Sequence, residues 1–140
     1  VAQTTCAHTN HFYKSVLGAL EFDGPAVVNC YTTCQPDHGV ADNMARLAVD
    51  TRAFPLLIFD SSKGETIKKR LFLIGNPATK QDSWTNSKTR EPVDFIDFCR
   101  SEGRFGKHFE RDGNPSETLL QAKADRLENW RQLQELAGLI

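Results

Sequence analysis

Residues 24–40, Gly-Pro-Ala-Val-Val-Asn-Cys-Tyr-Thr-Thr-Cys-Gln-Pro-Asp-His-Gly-Val, constrain this chain more than any other stretch. Gly24-Pro25 breaks the preceding element, because glycine suits turns and proline lacks an amide donor. The β-formers Val27, Val28 and Tyr31 then predict a strand over 26–32. It is apolar with little alternation, the pattern of a strand covered on both faces. A polar loop with Cys34, Pro36, Asp37 and His38 follows, and Gly39 releases the chain into a helical pattern. A buried strand that delivers a thiol to a polar loop can build a site, since ligands in open α/β sheets collect at strand carboxyl ends.

The flanks repeat this alternation. Residues 1–4 read as the end of a strand, and 5–10 as a polar loop with Cys6 and His8. A helix follows, capped by Thr9 or Asn10, with Phe12, Val16, Leu17 and Leu20 on one face. A second helix, over about 40–51, buries Met44, Leu47, Ala48 and Val49. Phe-Pro-Leu-Leu-Ile-Phe at 54–59 is a third strand, with Pro55 tolerated near its start. The order β-α-β-α-β predicts a parallel sheet with right-handed crossovers, a partial Rossmann-like α/β fold.

The character changes after Asp60. Residues 61–64 form a turn, 65–74 an extended strand or an excursion, and 75–91 an irregular loop anchored by Trp84. Pro92 suits the first position of a short helix with Val93, Phe95, Ile96 and Phe98. One more turn is expected over 104–109. Asn114-Pro115-Ser116-Glu117 then starts a helix running to about Leu136, with Leu120, Leu127, Trp130, Leu133 and Leu136 as its stripe. The expected division is an α/β portion at 1–60 and a C-terminal extension with a long terminal helix at 61–140.

At 140 residues the chain has the size of one domain. A formal net charge of −1 argues against a nucleic-acid or membrane partner. No apolar run reaches the roughly 18 residues of a transmembrane helix, and no signal peptide is expected from the opening residues. Strand-like and site-like sequence starts at Val1, so the chain reads as beginning inside a fold, as a fragment or a processed piece. With nothing marking secretion, Cys6, Cys30, Cys34 and Cys99 are not expected to form a disulfide framework, and the expected setting is cytoplasmic.

The side chains with chemistry are Cys6, His8, His11, Cys30, Cys34, Asp37 and His38. If the first two strands are parallel neighbours, the loops at 6–8 and 34–38 share one sheet edge. Thiolates suit zinc or iron–sulfur clusters, and imidazole suits zinc. No Cys-x-x-Cys pair is present, so a self-contained cluster site is unsupported. Cys30 and Cys34 in one strand would stand about 13 Å apart, too far for one metal ion. The plainer reading makes Cys30 and Cys99 small core residues, His11 a surface or capping residue, and Asp37 and His38 caps of the next helix. A nucleophilic pair of Cys34 and His38 is conceivable on weak spacing evidence. No glycine-rich phosphate loop exists, and the basic runs at 68–70 and 100–107 read as solvated faces.

Six segments taken in order carry a resemblance. They are Val-Ala-Gln at 1–3, Asn-His-Phe-Tyr at 10–13, Gly-Pro-Ala-Val-Val at 24–28, Tyr-Thr-Thr-Cys at 31–34, Ala-Val-Asp at 48–50 and Phe-Pro-Leu at 54–56. Together they resemble the C-terminal end of pyruvate:ferredoxin (flavodoxin) oxidoreductases and related 2-oxoacid:acceptor oxidoreductases. Phe95, Phe98, Arg104 and Phe105 are similar to that family's acidic-aromatic tail. The resemblance covers nearly the whole chain, most strongly 1–60 and more loosely 61–90. It implies the last part of a thiamine-diphosphate-binding domain. The parent would decarboxylate pyruvate or a similar 2-oxoacid oxidatively, with thiamine diphosphate, magnesium and coenzyme A. Electrons would leave through 4Fe–4S clusters to ferredoxin or flavodoxin.

The resemblance also implies that Cys34 is the fourth ligand of a 4Fe–4S cluster. The other three ligands, the thiamine and magnesium motif and the pyruvate-binding domain have no counterpart here, and the loop 35–38 departs from the family form. The chain alone is therefore expected to be inactive and to bind no cofactor by itself. Its expected partners are the upstream domains of the same polypeptide, ferredoxin or flavodoxin, and a second copy in a homodimer covering the open edge of the first strand. The competing readings are a stand-alone Rossmann-like binding or scaffold module, and a small zinc protein using Cys34, His38 and Cys6 or His8.

Overall fold

The structure is a computed structural model that describes residues 1–33, 42–81 and 84–140. Its elements in chain order are β1 Ala2–Thr5, α1 Thr9–Glu21, β2 Val28–Tyr31, α2 Asp42–Asp50, β3 Leu57–Phe59, α3 Ile67–Arg70, β4 Leu71–Phe72, α4 Phe95–Ser101, a 3-10 turn Gly103–His108 and α5 Glu117–Leu136. The fold is α/β, with a four-stranded mixed sheet in the order β2-β1-β3-β4 and a C-terminal helix.

The β1–α1–β2 unit is parallel, as the sequence predicts, with Thr4 opposite Cys30 and Thr5 opposite Tyr31. The third strand departs from the all-parallel expectation. β3 runs antiparallel to β1, with Ala2 opposite Ile58, and β4 returns antiparallel to β3. The reason lies in α2, which packs on α4. Its C-terminal turn closes through Phe54 N–H donating to Ala48 O at 2.8 Å. A parallel crossover needs a connection that carries the chain back along the sheet; here the chain enters β3 from the carboxyl edge of β1 instead.

β1 is therefore an inner strand, with Ala2, Thr4 and Thr5 buried. The first strand's edge is paired on both sides, not open. β2 and β4 are the outer strands among the described residues. β2 lies at the edge next to β1. It is half-buried, with Asn29 exposed, rather than covered on both faces.

Two apolar clusters hold the helices. Ala48, Trp84, Phe95, Phe98, Cys99 and Leu119 join α2, α4 and the start of α5. Leu71, Leu73 and Trp130 join β4 to the middle of α5. α5 thus spans both, with Leu119 and Trp130 buried while Leu120 and Leu136 of the expected stripe are exposed.

The helix starts show local chemistry. Asp94 caps α4 by accepting from Ile96 N at 2.7 Å and Asp97 N at 3.2 Å, and Asp97 Oδ2 accepts from Asp94 N at 2.8 Å. This reciprocal box satisfies amide donors that a helix start leaves open. Pro92 lies ahead of the helix in a bridge with Thr85, not at the first helical position. Ser116 caps α5. α1 begins after His8, which makes no side-chain cap, in place of the expected Thr9 or Asn10 cap. Its buried residue is Ser15, whereas Leu17 and Leu20 face outward. Among the described residues no helix is long and apolar enough to cross a membrane.

Candidate functional site

The parallel register brings thiols and imidazoles to the carboxyl edge of β1 and β2. Cys6 occupies the turn just after β1, and Cys30 lies within β2. The Cys6 side chain and its backbone N–H lie close enough to Cys30 Sγ to act on it electrostatically. Cys30 Sγ approaches Tyr31 O at 3.8 Å. Both thiols are free, Cys6 exposed and Cys30 partly so. Cys30 is thus not the core residue of the plainer reading. Burial raises its thiol pKa first, the adjacent Cys6 sulfur raises it further, and the Cys6 amide opposes the shift.

Two histidines are bonded to the end of β1. His8 N–H donates to Thr5 O at 3.0 Å, which fixes the turn that carries Cys6. His11 Nδ1 is hydrogen-bonded to Thr4 Oγ1 at 2.9 Å, so His11 is tied to β1 and is not a surface residue. A Cβ at Gly75 would meet Leu56 Cδ1 at 2.9 Å and His11 Cδ2 at 3.2 Å; Gly75 has φ +104, so glycine permits both this turn and the imidazole packing. Burial lowers the pKa of both imidazoles. For His8, Arg46 adds to the effect and Asp50 opposes it; for His11, His8 and Lys14 add to it. Both rings are therefore neutral near pH 7. His8 Nδ1 and His11 Nε2 are buried without a partner among the described residues.

The floor of the corner is locked. Tyr31 Oη donates to Glu102 Oε1, and Arg104 Nε pairs with Glu102 Oε2 at 2.7 Å. The Tyr31 ring packs on Phe54 at 5.4 Å and on Phe98 at 6.2 Å between centroids. Burial, and then Glu102, push the Tyr31 phenol pKa upward, so the hydroxyl stays a donor. The end of β2 is thus held rigidly where the chain continues to Thr32 and Thr33.

Cys34, Asp37 and His38 lie outside the described residues. Among the described residues no three His, Cys, Asp or Glu side chains are grouped to hold a metal ion. Cys99 is buried in the helical cluster, as expected of a core thiol. Sequence reasoning missed the meeting of Cys6 and Cys30. A signal was present: if β1 and β2 are parallel neighbours, the turn that ends β1 lies beside β2, and Cys6 opens that turn one residue after Thr5, which pairs with Tyr31. A separate groove of about 160 Å³ lies at the opposite, amino edge, lined by Val1, Lys14, Phe22, Val27, Phe59 and Asp60 among others. It holds none of the thiols or imidazoles.

No protein-family model matches the chain, and no curated protein matches it.

Proposed function

We propose that the chain is the C-terminal part of the thiamine-diphosphate-binding domain of a cytoplasmic 2-oxoacid:ferredoxin or flavodoxin oxidoreductase, with pyruvate as the 2-oxoacid. The observation that supports this reading is the parallel β1–α1–β2 unit, with thiols at its carboxyl edge and Tyr31 anchored three residues before Cys34. The segments carrying the sequence resemblance begin β1, enter α1 and bracket β2 at Val28 and Tyr31. The Rossmann-like part of the reading rests on that unit alone, because β3 is antiparallel.

In this reading Cys34 is the fourth thiolate of a 4Fe–4S cluster. The remaining ligands, the cofactor clamp and the substrate domain would, on the resemblance, lie in a longer polypeptide. When bound, thiamine diphosphate supplies carbanion stabilisation and the cluster supplies one-electron acceptance. The residues of this chain fix the strand end, through Tyr31 and Glu102, and line the edge with neutral imidazoles.

The test is anaerobic co-expression with the reading frame upstream of Val1, followed by metal analysis. Iron and sulfide in stoichiometric amounts, lost in Cys34→Ser, is the expected outcome. Stoichiometric zinc in the isolated chain would indicate the small zinc protein instead, and no metal under either condition a scaffold module. The isolated chain is expected to show no coenzyme-A-dependent pyruvate oxidation with a viologen acceptor, and robust turnover would overturn the proposal.

A further inference from the structure

We infer that Cys6 and Cys30 form a dithiol–disulfide exchange site, closing reversibly into an intrachain disulfide against a small disulfide of the glutathione class. This goes beyond the proposed parent activity and does not depend on it.

Three observations converge. The register places Thr4 opposite Cys30 and Thr5 opposite Tyr31, so Cys6, the next residue, begins its turn at the strand end beside β2. Cys6 sits in the turn just after β1, near enough to Cys30 for its side chain and its amide both to act on the Cys30 thiol. Cys6 is exposed and Cys30 partly so, whereas Cys99 is sealed in the helical cluster. The pair is thus open to a small reagent.

The exposure assigns an order to the steps. The Cys6 thiolate attacks one sulfur of the small disulfide, forming a mixed disulfide and releasing one small thiolate. Deprotonated Cys30 then attacks the Cys6 sulfur and expels the second. Two protein thiols lose two protons and two electrons; one disulfide bond breaks, one forms, and the two released thiolates take up the protons. Attack of a thiolate through a mixed disulfide is the general route of such exchange, and exposed disulfides are the readily reduced ones. In a reducing compartment the pair rests as dithiol, matching the free cysteines of this structure, and closes only under oxidation. Closure would tie the turn after β1 to the outer strand β2.

The full 140-residue chain is equilibrated in buffers of increasing oxidised-to-reduced glutathione ratio, then acid-quenched and alkylated. Digestion with trypsin and chymotrypsin follows, because cleavage after Tyr31 separates Cys30 from Cys34. The expected product is the Cys6 peptide joined to the Cys30 peptide, reversed by excess reduced glutathione and retained in Cys34→Ser. In Cys6→Ser the Cys30 peptide should carry no intrachain link. Mixed glutathione adducts alone, or linkage of Cys6 or Cys30 only to Cys34, would overturn the inference. The mapping on the unsubstituted chain decides the matter even if a variant fails to fold.

Discussion

Cys99 is 1% exposed among Phe95, Phe98 and Leu119, and burial pushes its thiol up to about 12, with Asp94 and Glu102 adding to the shift. A thiol so placed is a poor nucleophile, since the thiolate is the reactive form. Brief alkylation of the native chain should modify Cys6 and Cys30 and spare Cys99 until urea is added; peptide mapping reads the difference. The histidines carry a pH signature. Their folded pKa values lie below the ordinary 6.5, so the unfolded chain binds protons first as pH falls. Stability from this source is complete above about 6.5 and declines below it. The urea midpoint should therefore be lower at about pH 5 than at about pH 7.5, and the double variant His8→Gln with His11→Gln should show a smaller drop. The core place of Cys99 was legible from residue type; those of His11 and Cys30 were not. His11 was expected as a surface or capping residue and Cys30 in the core; each is decided by what Thr4 and Cys6 place beside it.

At the scale of elements, α5 shows what periodicity can and cannot say. The start signal at 114–117 and the end near Leu136 were legible, because capping and helix propensity are local. The buried face was legible in part: Trp130 is buried and Leu127 and Leu133 pack on the clusters, whereas Leu120 and Leu136 are exposed. Trp130 is 1% exposed, its Nε1 donates to Gln81 O at 3.1 Å, and the Arg52 guanidinium lies 4.3 Å from its ring centroid. Arg52, itself buried, donates to Val49 O and Asp50 O, and adopts φ +58, a conformation unfavourable for a residue with a Cβ. These contacts offset that cost and tie the end of α2 to α5. Trp130→Ala should lower unfolding stability by about 3–5 kcal/mol. Leu120→Ala, on the exposed side of the same helix, should stay within about 0.5 kcal/mol. Urea denaturation of both variants checks the contrast. α1 gives the opposite lesson: its apolar residues have helical spacing, yet Tyr13, Leu17 and Leu20 are exposed and Ser15 is inside.

Across the whole molecule, those side chains and Val27 leave apolar surface beside the outer strand β2. An unpaired strand edge offers amides and carbonyls to another chain, and exposed apolar patches mark contact surfaces. The isolated chain is expected to self-associate as its concentration rises in sedimentation velocity. Leu20→Lys combined with Val27→Lys should shift it toward the monomer; a monodisperse monomer at every concentration would count against this. The surface differs from the one the sequence suggested, since among the described residues β1 is enclosed and β2 lies at an edge of the sheet.

Local patterns by themselves determined the α/β class, the β1–α1–β2 order, the start of α5 and the core role of Cys99, because turns, caps and hydrophobic spacing act over a few residues. The direction of β3, the outward face of α1 and the meeting of Cys6 with Cys30 were decided only by tertiary structure. Each depends on which surface a neighbouring element covers: α2 chose α4 over the sheet, and that choice reversed the strand that follows it.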